Sequence, residues 1–116
     1  MNLNQYFKRK EFACKCGCGT STVDAELLNV VSDVREHFGK PVVITSGHRC
    51  LKHNTAVGGA KGSMHLTGKA ADIKVVGVDP ADVHAYLVNK YPDKYGIGRY
   101  SNFTHIDVRD AKARWA

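Results

Sequence analysis

The sequence lacks any apolar stretch long enough to cross a membrane, and its first five residues contain no basic group followed by an apolar run. A membrane-spanning helix needs about 20 mostly apolar residues, and a secretory signal begins with a basic segment before its apolar one. We therefore expect a chain made in the cytoplasm without a signal peptide, and without stable membrane association. The sequence also has no repeats, linkers or low-complexity segments, so its 116 residues predict a single domain over residues 1–116.

Acidic residues are fewer than basic ones: 11 Asp and Glu stand against 17 Lys and Arg, which gives a net charge of +6. This balance favours an anionic partner, such as nucleic acid, anionic lipid or the acidic polymers of a bacterial wall. The basic residues are scattered rather than clustered, and aromatic residues do not alternate with them. A nucleic-acid-binding surface usually combines both features, so we expect no nucleic-acid partner.

Cysteine is scarce outside one short segment, which holds Cys14, Cys16 and Cys18, whereas Cys50 lies alone. Clustered cysteines in a cytoplasmic chain indicate a metal site or free thiols more often than disulfides. The spacing differs from the paired Cys-x-x-Cys motifs of a zinc ribbon. Three interpretations stay open: a structural zinc site, a disulfide from the cluster to Cys50 formed after release, and plain packing of small apolar side chains.

Two main helices are predicted from hydrophobic spacing and capping residues. In residues 23–38, apolar side chains recur at helical intervals, and Gly39 suits the end of the helix. The residues that can cap its start are Ser21, Thr22 and Asp24. Asp79-Pro80 opens the second helix with a cap and a proline at the first position, and Pro92 stops it. Residues 51–57 predict a brief third helix.

Strands are predicted from β-branched runs and from alternation. Residues 42–46 form a β-branched run typical of a buried strand. Residues 71–75 alternate apolar and polar side chains, with Asp72 on the polar face. Residues 95–100 and 103–109 predict a terminal hairpin. The predicted fold is therefore α+β, with a small, mostly antiparallel sheet and two main helices.

Two histidines and two aspartates have the pattern of a catalytic site. His65 and Asp72 lie seven residues apart with small residues between them, and His105 follows in the last predicted strand. Because Ile106 belongs in the core of that strand, His105 and Asp107 should share the opposite face, which lines a cleft. Two imidazoles and one carboxylate are a ligand set that zinc uses catalytically, with water in the fourth position.

The same residues lie in three motifs, which are Ser46-Gly47-His48-Arg49, Ser63-x-His65-x-x-Gly68-x-Ala70-x-Asp72 and Phe103-x-His105-x-Asp107. Together the motifs resemble the zinc D-alanyl-D-alanine carboxypeptidase family. That family includes phage L-alanyl-D-glutamate endolysins and shares its fold with murein DD-endopeptidases and the hedgehog signalling domain. The resemblance is greatest to the short phage and prophage peptidases and covers roughly residues 7–115.

The resemblance implies a role for each motif. It implies that His65, Asp72 and His105 hold the zinc ion. It places Arg49 where the family has an arginine that binds the substrate's carboxylate or polarises the carbonyl under attack. A guanidinium suits this role because it offers paired donors to carboxylate oxygens. Two further residues, Ser63 and Tyr100, are candidates for substrate binding, with loop support and packing as their competing roles.

One position departs from the family pattern. Endolysins and dipeptidases of this family carry an acidic general base three residues before the last zinc histidine, and here that residue is Asn102. Other branches have a histidine two residues before it, and here that residue is Phe103. The sequence leaves Asp107 as the best candidate for the base, with support of a ligand imidazole as its competing role. The weaker alternatives are His48 and His53.

The resemblance implies a zinc-dependent peptidase that hydrolyses peptide bonds in the stem peptides or cross-links of bacterial peptidoglycan, as a carboxypeptidase or an endopeptidase. It implies a phage or prophage lysis enzyme, expected to be a monomer, which reaches the wall after release or is carried by a virion. The missing acid supports a second hypothesis, a catalytically inactive, zinc-stabilised module for wall binding or phage structure. Both hypotheses predict bound zinc, and only the enzyme predicts cleavage.

Overall fold

The computed structural model describes residues 3–116, which form an α+β fold around one five-stranded sheet. The strands are β1 (Val42–Ser46), β2 (Ala70–Val75), β3 (Gly96–Arg99), β4 (Thr104–Asp107) and β5 (Ala113–Trp115). Their order in the sheet is β1-β2-β4-β3-β5, and every neighbouring pair is antiparallel except β3 with β5. The predicted fold class, with its mostly antiparallel sheet, is confirmed.

Helices flank the sheet and connect its strands. They are α1 (Ala25–Phe38), α2 (Leu51–Ala56) and α3 (Pro80–Lys90), with short 3-10 turns at Arg9–Phe12 and Met64–Thr67. The two main helices and the brief one were all predicted from the sequence. None of the helices between residues 3 and 116 has the length and apolar character needed to cross a membrane.

The first helix begins and ends where its capping residues dictate. Among the three possible caps, Asp24 is the one used: its carboxylate accepts hydrogen bonds from the backbone N–H groups of Glu26 and Leu27. Gly39 ends the helix in the left-handed conformation, with a φ of 63°. The buried face of the helix packs on the sheet through Leu27, Val30, Val31 and Val34.

The N-terminal segment is fastened to the same core. Phe7 and Phe12 are buried, and their rings meet edge to face at 5.7 Å between centroids. The carbonyl of Phe12 accepts a hydrogen bond from the backbone N–H of His48 at 2.8 Å. A side chain at Gly47 would lie 2.6 Å from that carbonyl, so the chain passes there only because the residue is glycine. The N-terminal segment therefore supports the loop that follows β1.

The register of the central strands sets the position of the polar residues. Asp72 on β2 lies opposite His105 on β4, and His105 lies opposite Gly98 on β3. Because side chains alternate along a strand, Ile73 and Ile106 enter the core while Asp72 and His105 face the other side. The sheet therefore presents one aspartate and one histidine side by side on its open face.

The edge strand β5 was not predicted from the sequence. It has three residues, follows the charged segment 109–112, and pairs in parallel with β3. A strand this short lacks the alternation by which longer strands are recognised. It matters for the site because it carries Trp115 next to Gly98, where a side chain would lie 2.3 Å from the indole nitrogen.

Two tyrosines form hydrogen bonds to α1, and these bonds should make the stability of the fold decrease at alkaline pH. The hydroxyl of Tyr95 donates to Glu26 at 2.6 Å, and that of Tyr86 donates to Asp33 at 2.5 Å. Burial raises the pKa of both hydroxyls, and the neighbouring carboxylates raise it further. The folded-state pKa thus exceeds the unfolded value of about 10, so this stabilisation is present below about pH 10 and lost above it.

Replacing Tyr95 with phenylalanine tests this dependence. We expect Tyr95→Phe to lower the free energy of unfolding by about 1 kcal/mol at neutral pH, because one hydrogen bond is lost. The difference from the wild type should shrink above about pH 10, where the wild type loses the same contribution. Urea unfolding followed by circular dichroism at neutral and alkaline pH measures both values. A difference that stays constant across this range would contradict the prediction.

Candidate metal centre

The 3-10 turn at Met64–Thr67 places His65 next to Asp72, on the polar face of the sheet. Its side chain is buried, and its Nδ1 donates a hydrogen bond to the carbonyl of Gly47 at 2.7 Å. A carbonyl oxygen can only accept, so the proton lies on Nδ1 and the lone pair on Nε2. That Nε2 lies 3.4 Å from Oδ1 of Asp72. The backbone carbonyl therefore sets the tautomer that a metal-binding histidine requires.

His105 approaches the same carboxylate from β4. Its Nε2 lies 2.7 Å from Oδ2 of Asp107, and its Nδ1 lies 3.0 Å from Oδ1 of Asp72. Both carboxylates are acceptors, and the shorter contact is the one between Nε2 and Asp107. A metal that displaced the Nδ1 proton would leave Nε2 donating to Asp107 and the Nδ1 lone pair facing Asp72. His65 and His105 thus present different ring nitrogens to one aspartate oxygen.

These three ligand atoms fit a zinc ion. A tetrahedral zinc with bonds of about 2.1 Å separates its ligand atoms by about 3.4 Å. The distances from Asp72 Oδ1 to His65 Nε2 and His105 Nδ1 are 3.4 and 3.0 Å, and all three atoms lie within 4.8 Å of one another. With both imidazoles neutral, three lone-pair atoms converge, and a divalent cation satisfies them together.

The electrostatics of the site keep the carboxylate charged. Burial alone would raise the pKa of Asp72, but its hydrogen bonds and charge interactions with His105 and His65 outweigh burial and lower the pKa to about 2. Burial likewise opposes protonation of His105, yet its contacts with Asp107 and Asp72 raise its pKa. The aspartate is therefore ionised at neutral pH, as a metal ligand must be.

Asp107 lies behind His105 and has every acceptor position occupied. Its side chain is 0% exposed. Besides His105, it accepts from the backbone N–H groups of Gly96 and Arg109, both at 3.2 Å. The guanidinium of Arg109 adds two bonds of 2.7 Å, one from Nε and one from Nη2. Burial would raise the pKa of Asp107, but the contacts with His105 and Arg109 lower it well below its usual range.

The sequence left two roles open for Asp107, general base or support of a ligand imidazole, and these contacts distinguish between them. A general base must reach a water or substrate proton, whereas Asp107 is enclosed and bonded to five donor groups. A carboxylate that holds the distal nitrogen of a ligand imidazole is a common support of metal sites. The geometry therefore favours the supporting role.

Arg49 lies beside the proposed ligands and is held from three sides. Its guanidinium donates to Ser46 Oγ at 3.1 Å, Asn54 Oδ1 at 3.2 Å and Asp72 Oδ2 at 3.4 Å. Asn54 is 1% exposed and donates its own amide proton to the carbonyl of Ala60 at 2.9 Å. Asn54 was not predicted as a site residue, because no motif distinguishes a buried asparagine on a short helix. Its contacts link the Arg49 side chain to the glycine-rich loop at residues 58–62.

The ligand atoms lie at the base of a cleft of about 440 Å³. Arg49, Ser63 and Tyr100, which the sequence analysis named as candidates for substrate binding, all line it. The Ser63 hydroxyl also accepts the backbone N–H of His65 at 3.2 Å, so this residue supports the loop in addition to facing the cleft. Among the described residues that line the cleft, Asp72 is the only acidic one.

One wall of the cleft is aromatic. Tyr100 stacks on Phe103 with ring centroids 4.4 Å apart, and the indole Nε1–H of Trp115 donates to the Tyr100 hydroxyl at 2.8 Å. Trp115 also lies 5.0 Å from the ring of His105 and under the guanidinium of Arg109. Trp115 was not predicted as a site residue. It is the only tryptophan of the chain, and that was the one available signal.

The weaker base candidates do not line the cleft. The Nδ1 of His48 accepts from the backbone N–H of Thr22 at 2.8 Å, and its Nε2 lies 3.1 Å from the carbonyl of Leu66. Both ring nitrogens are therefore engaged in joining the N-terminal segment to the loop of His65. His53 lies on α2, where its backbone N–H contacts Cys50 Sγ at 3.4 Å.

The sequence was compared with models of known protein families. A family model described as Peptidase M15 matches residues 5–107, which is most of the chain. The chain belongs to the peptidase M15 family. The resemblance inferred from the motifs is thereby confirmed, and the protein is a metallopeptidase of a zinc-dependent, peptidoglycan-directed family. A search of curated proteins found no significant match.

Two residues of the site lie outside the range of the family match. The ligand candidates and Arg49 all lie inside the matched range, whereas Arg109 and Trp115 lie beyond residue 107. These two residues complete the support of His105 and the wall of the cleft. They belong to the part of the M15 peptidase site that only the structure reveals.

Proposed function

We propose that this M15 peptidase is a zinc enzyme that hydrolyses peptide bonds in the stem peptides or cross-links of bacterial peptidoglycan. The observation that carries the proposal is the convergence of His65 Nε2, Asp72 Oδ1 and His105 Nδ1 beside Arg49 in an open cleft. Carboxypeptidase and endopeptidase action are both compatible with it. We further propose that the enzyme acts in phage or prophage lysis, on a wall that it reaches after release.

The proposed mechanism divides the work among residues of the cleft. Zinc, when bound, lowers the pKa of a coordinated water to about 7 and polarises a carbonyl. His65, Asp72 and His105 would hold the ion, with the carbonyl of Gly47 and the carboxylate of Asp107 fixing the two imidazoles. Each ligand is thus aligned before substrate arrives.

Arg49 would bind the substrate. Its guanidinium lies 3.4 Å from Asp72, is partly exposed at 15%, and is held by Ser46 and Asn54 in a fixed orientation. A fixed guanidinium recognises a carboxylate with paired hydrogen bonds or stabilises the negative charge that develops on a carbonyl oxygen. The net charge of +6 suits approach to an anionic wall.

Tyr100 would contact the substrate from the aromatic wall. Because the indole of Trp115 donates to the Tyr100 oxygen, the tyrosine's own proton remains available for donation into the cleft. Asp107 would act by supporting His105, and not as the general base. This assignment leaves proton transfer to solvent or to groups of the substrate.

A second candidate function has one observation in its favour. The described part of the cleft offers no acidic side chain besides Asp72, and the family's usual positions for a base are Asn102 and Phe103. A zinc-stabilised module for wall binding or phage structure needs the metal but not the base. Such a module would bind zinc and peptidoglycan without cleaving any bond.

Mass spectrometry of muropeptides separates the two functions. Purified monomeric and cross-linked muropeptides are incubated with the zinc-loaded protein and, in parallel, with protein stripped by a chelator. We expect a new fragment only with the loaded protein, and its mass identifies the bond cleaved. Absence of any fragment, with bound zinc verified in the same sample, would refute the peptidase and favour the binding module.

Arg49 can be tested without disturbing the metal. We expect Arg49→Ala to reduce cleavage by about 10²- to 10³-fold, because one positioned donor group is lost from the transition state. Arg49→Lys should recover little of this activity, since an ammonium cannot form the paired hydrogen bonds of a guanidinium. Initial rates are measured on the muropeptide that the wild type cleaves, with zinc content determined for each variant. Full activity in Arg49→Lys would show that only positive charge matters there.

A further inference from the structure

The four cysteines meet at one place and form a group separate from His65, Asp72 and His105. Cys14, Cys16 and Cys18 lie on the loop after the first 3-10 turn, and Cys50 is the residue that caps α2. Their four sulfur atoms all lie within 4.8 Å of one another. Cys14 is buried, whereas Cys16 and Cys18 are exposed, so the cluster lies at the surface with one side in the core.

The distances between the sulfurs are those of a metal site. Three of them are 3.4 Å for Cys14 to Cys16, 3.6 Å for Cys16 to Cys50 and 3.8 Å for Cys14 to Cys50. A tetrahedral zinc with Zn–S bonds of about 2.3 Å separates its sulfurs by about 3.8 Å. A disulfide requires about 2.05 Å between its sulfurs, and each cysteine here is free.

The backbone around the cluster is arranged for ligation. Gly17 and Gly19, with φ values of 83° and 89°, turn the chain after Cys16 and Cys18 so that alternate side chains converge. The backbone N–H of Cys50 contacts Cys14 Sγ at 3.4 Å, and that of His53 contacts Cys50 Sγ at the same distance. N–H groups directed at sulfur stabilise the thiolate form that binds metals.

We propose that Cys14, Cys16, Cys18 and Cys50 bind a second, structural zinc ion. Four thiolates fill a tetrahedral shell, so this site has no open position for water or substrate, in contrast to the catalytic site. On binding, the thiols that become ligands release their protons to solvent, and no oxidant is needed. The inference is independent of the proposed peptidase function.

The position of the cluster indicates what this ion would do. Cys50 directly follows Arg49, and the other three ligands belong to the N-terminal segment. A metal at this point would join the two segments and fix the backbone beside Arg49. The metal would add to two hydrogen bonds that already join these segments, one from the Thr22 N–H to the His48 ring and one from the His48 N–H to the Phe12 carbonyl.

Zinc content measured by mass spectrometry tests the proposal. The wild type, purified under reducing conditions with zinc present, is expected to hold about two zinc ions per chain. The double variant Cys16→Ser/Cys18→Ser should retain about one, because it removes two ligands from an exposed loop without touching the core. Lys15→Ser, an exposed substitution within the same loop, is the matched control and should retain both ions. His65→Ala should lose only the other ion.

Cobalt replacement tests the wild type without any substitution that affects folding. Cobalt(II) in a tetrathiolate site gives intense thiolate-to-metal charge-transfer absorption, which the histidine and aspartate site cannot give. We expect this absorption in the wild type and in His65→Ala, and not in Cys16→Ser/Cys18→Ser. A protein without this absorption, or one whose zinc content is unchanged in the double variant, would overturn the proposal. So would a thiol count showing a disulfide in the freshly reduced, zinc-loaded protein. Peptidase activity enters none of these readouts.

Discussion

Replacing His65 with alanine is expected to reduce peptide cleavage by about 10³-fold or more while the fold is retained. A catalytic zinc contributes several kcal/mol of transition-state stabilisation, and each 1.4 kcal/mol corresponds to a factor of ten in rate. His65 would supply one of the three proposed ligand atoms, its Nε2, because its Nδ1 is hydrogen-bonded to the carbonyl of Gly47. With the imidazole removed, Asp72 and His105 alone hold the metal too weakly. Initial cleavage rates and zinc content together measure the effect.

The control for this variant is another histidine outside the cleft. His84 lies on α3 and does not line the cleft, so His84→Ala should keep both its zinc content and its activity. Far-ultraviolet circular dichroism of His65→Ala verifies that the fold persists. If His65→Ala retained wild-type cleavage, or kept its full zinc content, the assignment of His65 as a ligand would be wrong.

Replacing Asp107 with alanine is expected to have the largest effect on stability. The change removes a carboxylate that is 0% exposed and leaves the Nε2–H of His105 without its acceptor, whereas the guanidinium of Arg109 is 32% exposed and can be solvated in part. Losing these hydrogen bonds lowers the free energy of unfolding by about 2 kcal/mol. Chemical unfolding monitored by circular dichroism gives the value. Asp110→Ala, an exposed change three residues further on, is the control and should cost little.

The more conservative Asp107→Asn distinguishes the two roles considered for this residue. If Asp107 supports His105, the amide weakens zinc affinity by about 10- to 100-fold, and activity recovers when excess zinc is supplied. A general base would give the opposite result, with zinc affinity unchanged and cleavage lost at every zinc concentration. Zinc competition titrations and cleavage rates over a range of zinc concentrations separate these outcomes. We expect the cleavage activity of Asp107→Asn to recover when excess zinc is supplied.

Much of the fold could be predicted because local rules agree with the tertiary structure here. Helix α1 has a capping aspartate, an apolar stripe and a terminal glycine, and all three signals give the same bounds within two residues. The hairpin of β3 and β4 follows from its alternation, and that alternation also places His105 and Asp107 on one face. Where a residue's position depends on periodicity alone, the sequence is sufficient.

The remaining parts of the site depend on contacts between distant segments. Asn54 accepts from Arg49 while its amide group donates to the carbonyl of Ala60, and no spacing rule predicts this pair of contacts. Arg109 lies two residues after Asp107 and directly before Asp110, so the sequence does not determine that its bidentate partner is Asp107. Trp115 reaches the cleft through an edge strand of three residues, too short to show a period. Each of these contacts is long-range or locally ambiguous.

The arrangement of the four cysteines likewise depends on a contact between distant segments. Their spacing in the sequence allowed a metal, a disulfide or plain packing, since it does not determine how near Cys50 lies to the other three. The distances of 3.4 to 3.8 Å between sulfurs favour the metal. These distances could not be predicted from the sequence, because Cys14 and Cys50 are 36 positions apart in the chain.

The edge strand β5 has a practical consequence for anyone preparing this protein. Trp115 contributes to the wall of the cleft, and Ala116 follows it directly beside Tyr100 and Arg99. Shortening the chain before Trp115 would therefore remove part of the cleft wall, together with its hydrogen bond to Tyr100 and its contact with the ring of His105. Samples for crystallisation or assay must retain residues 113–116, because the pairing of β5 with β3 holds the indole in place.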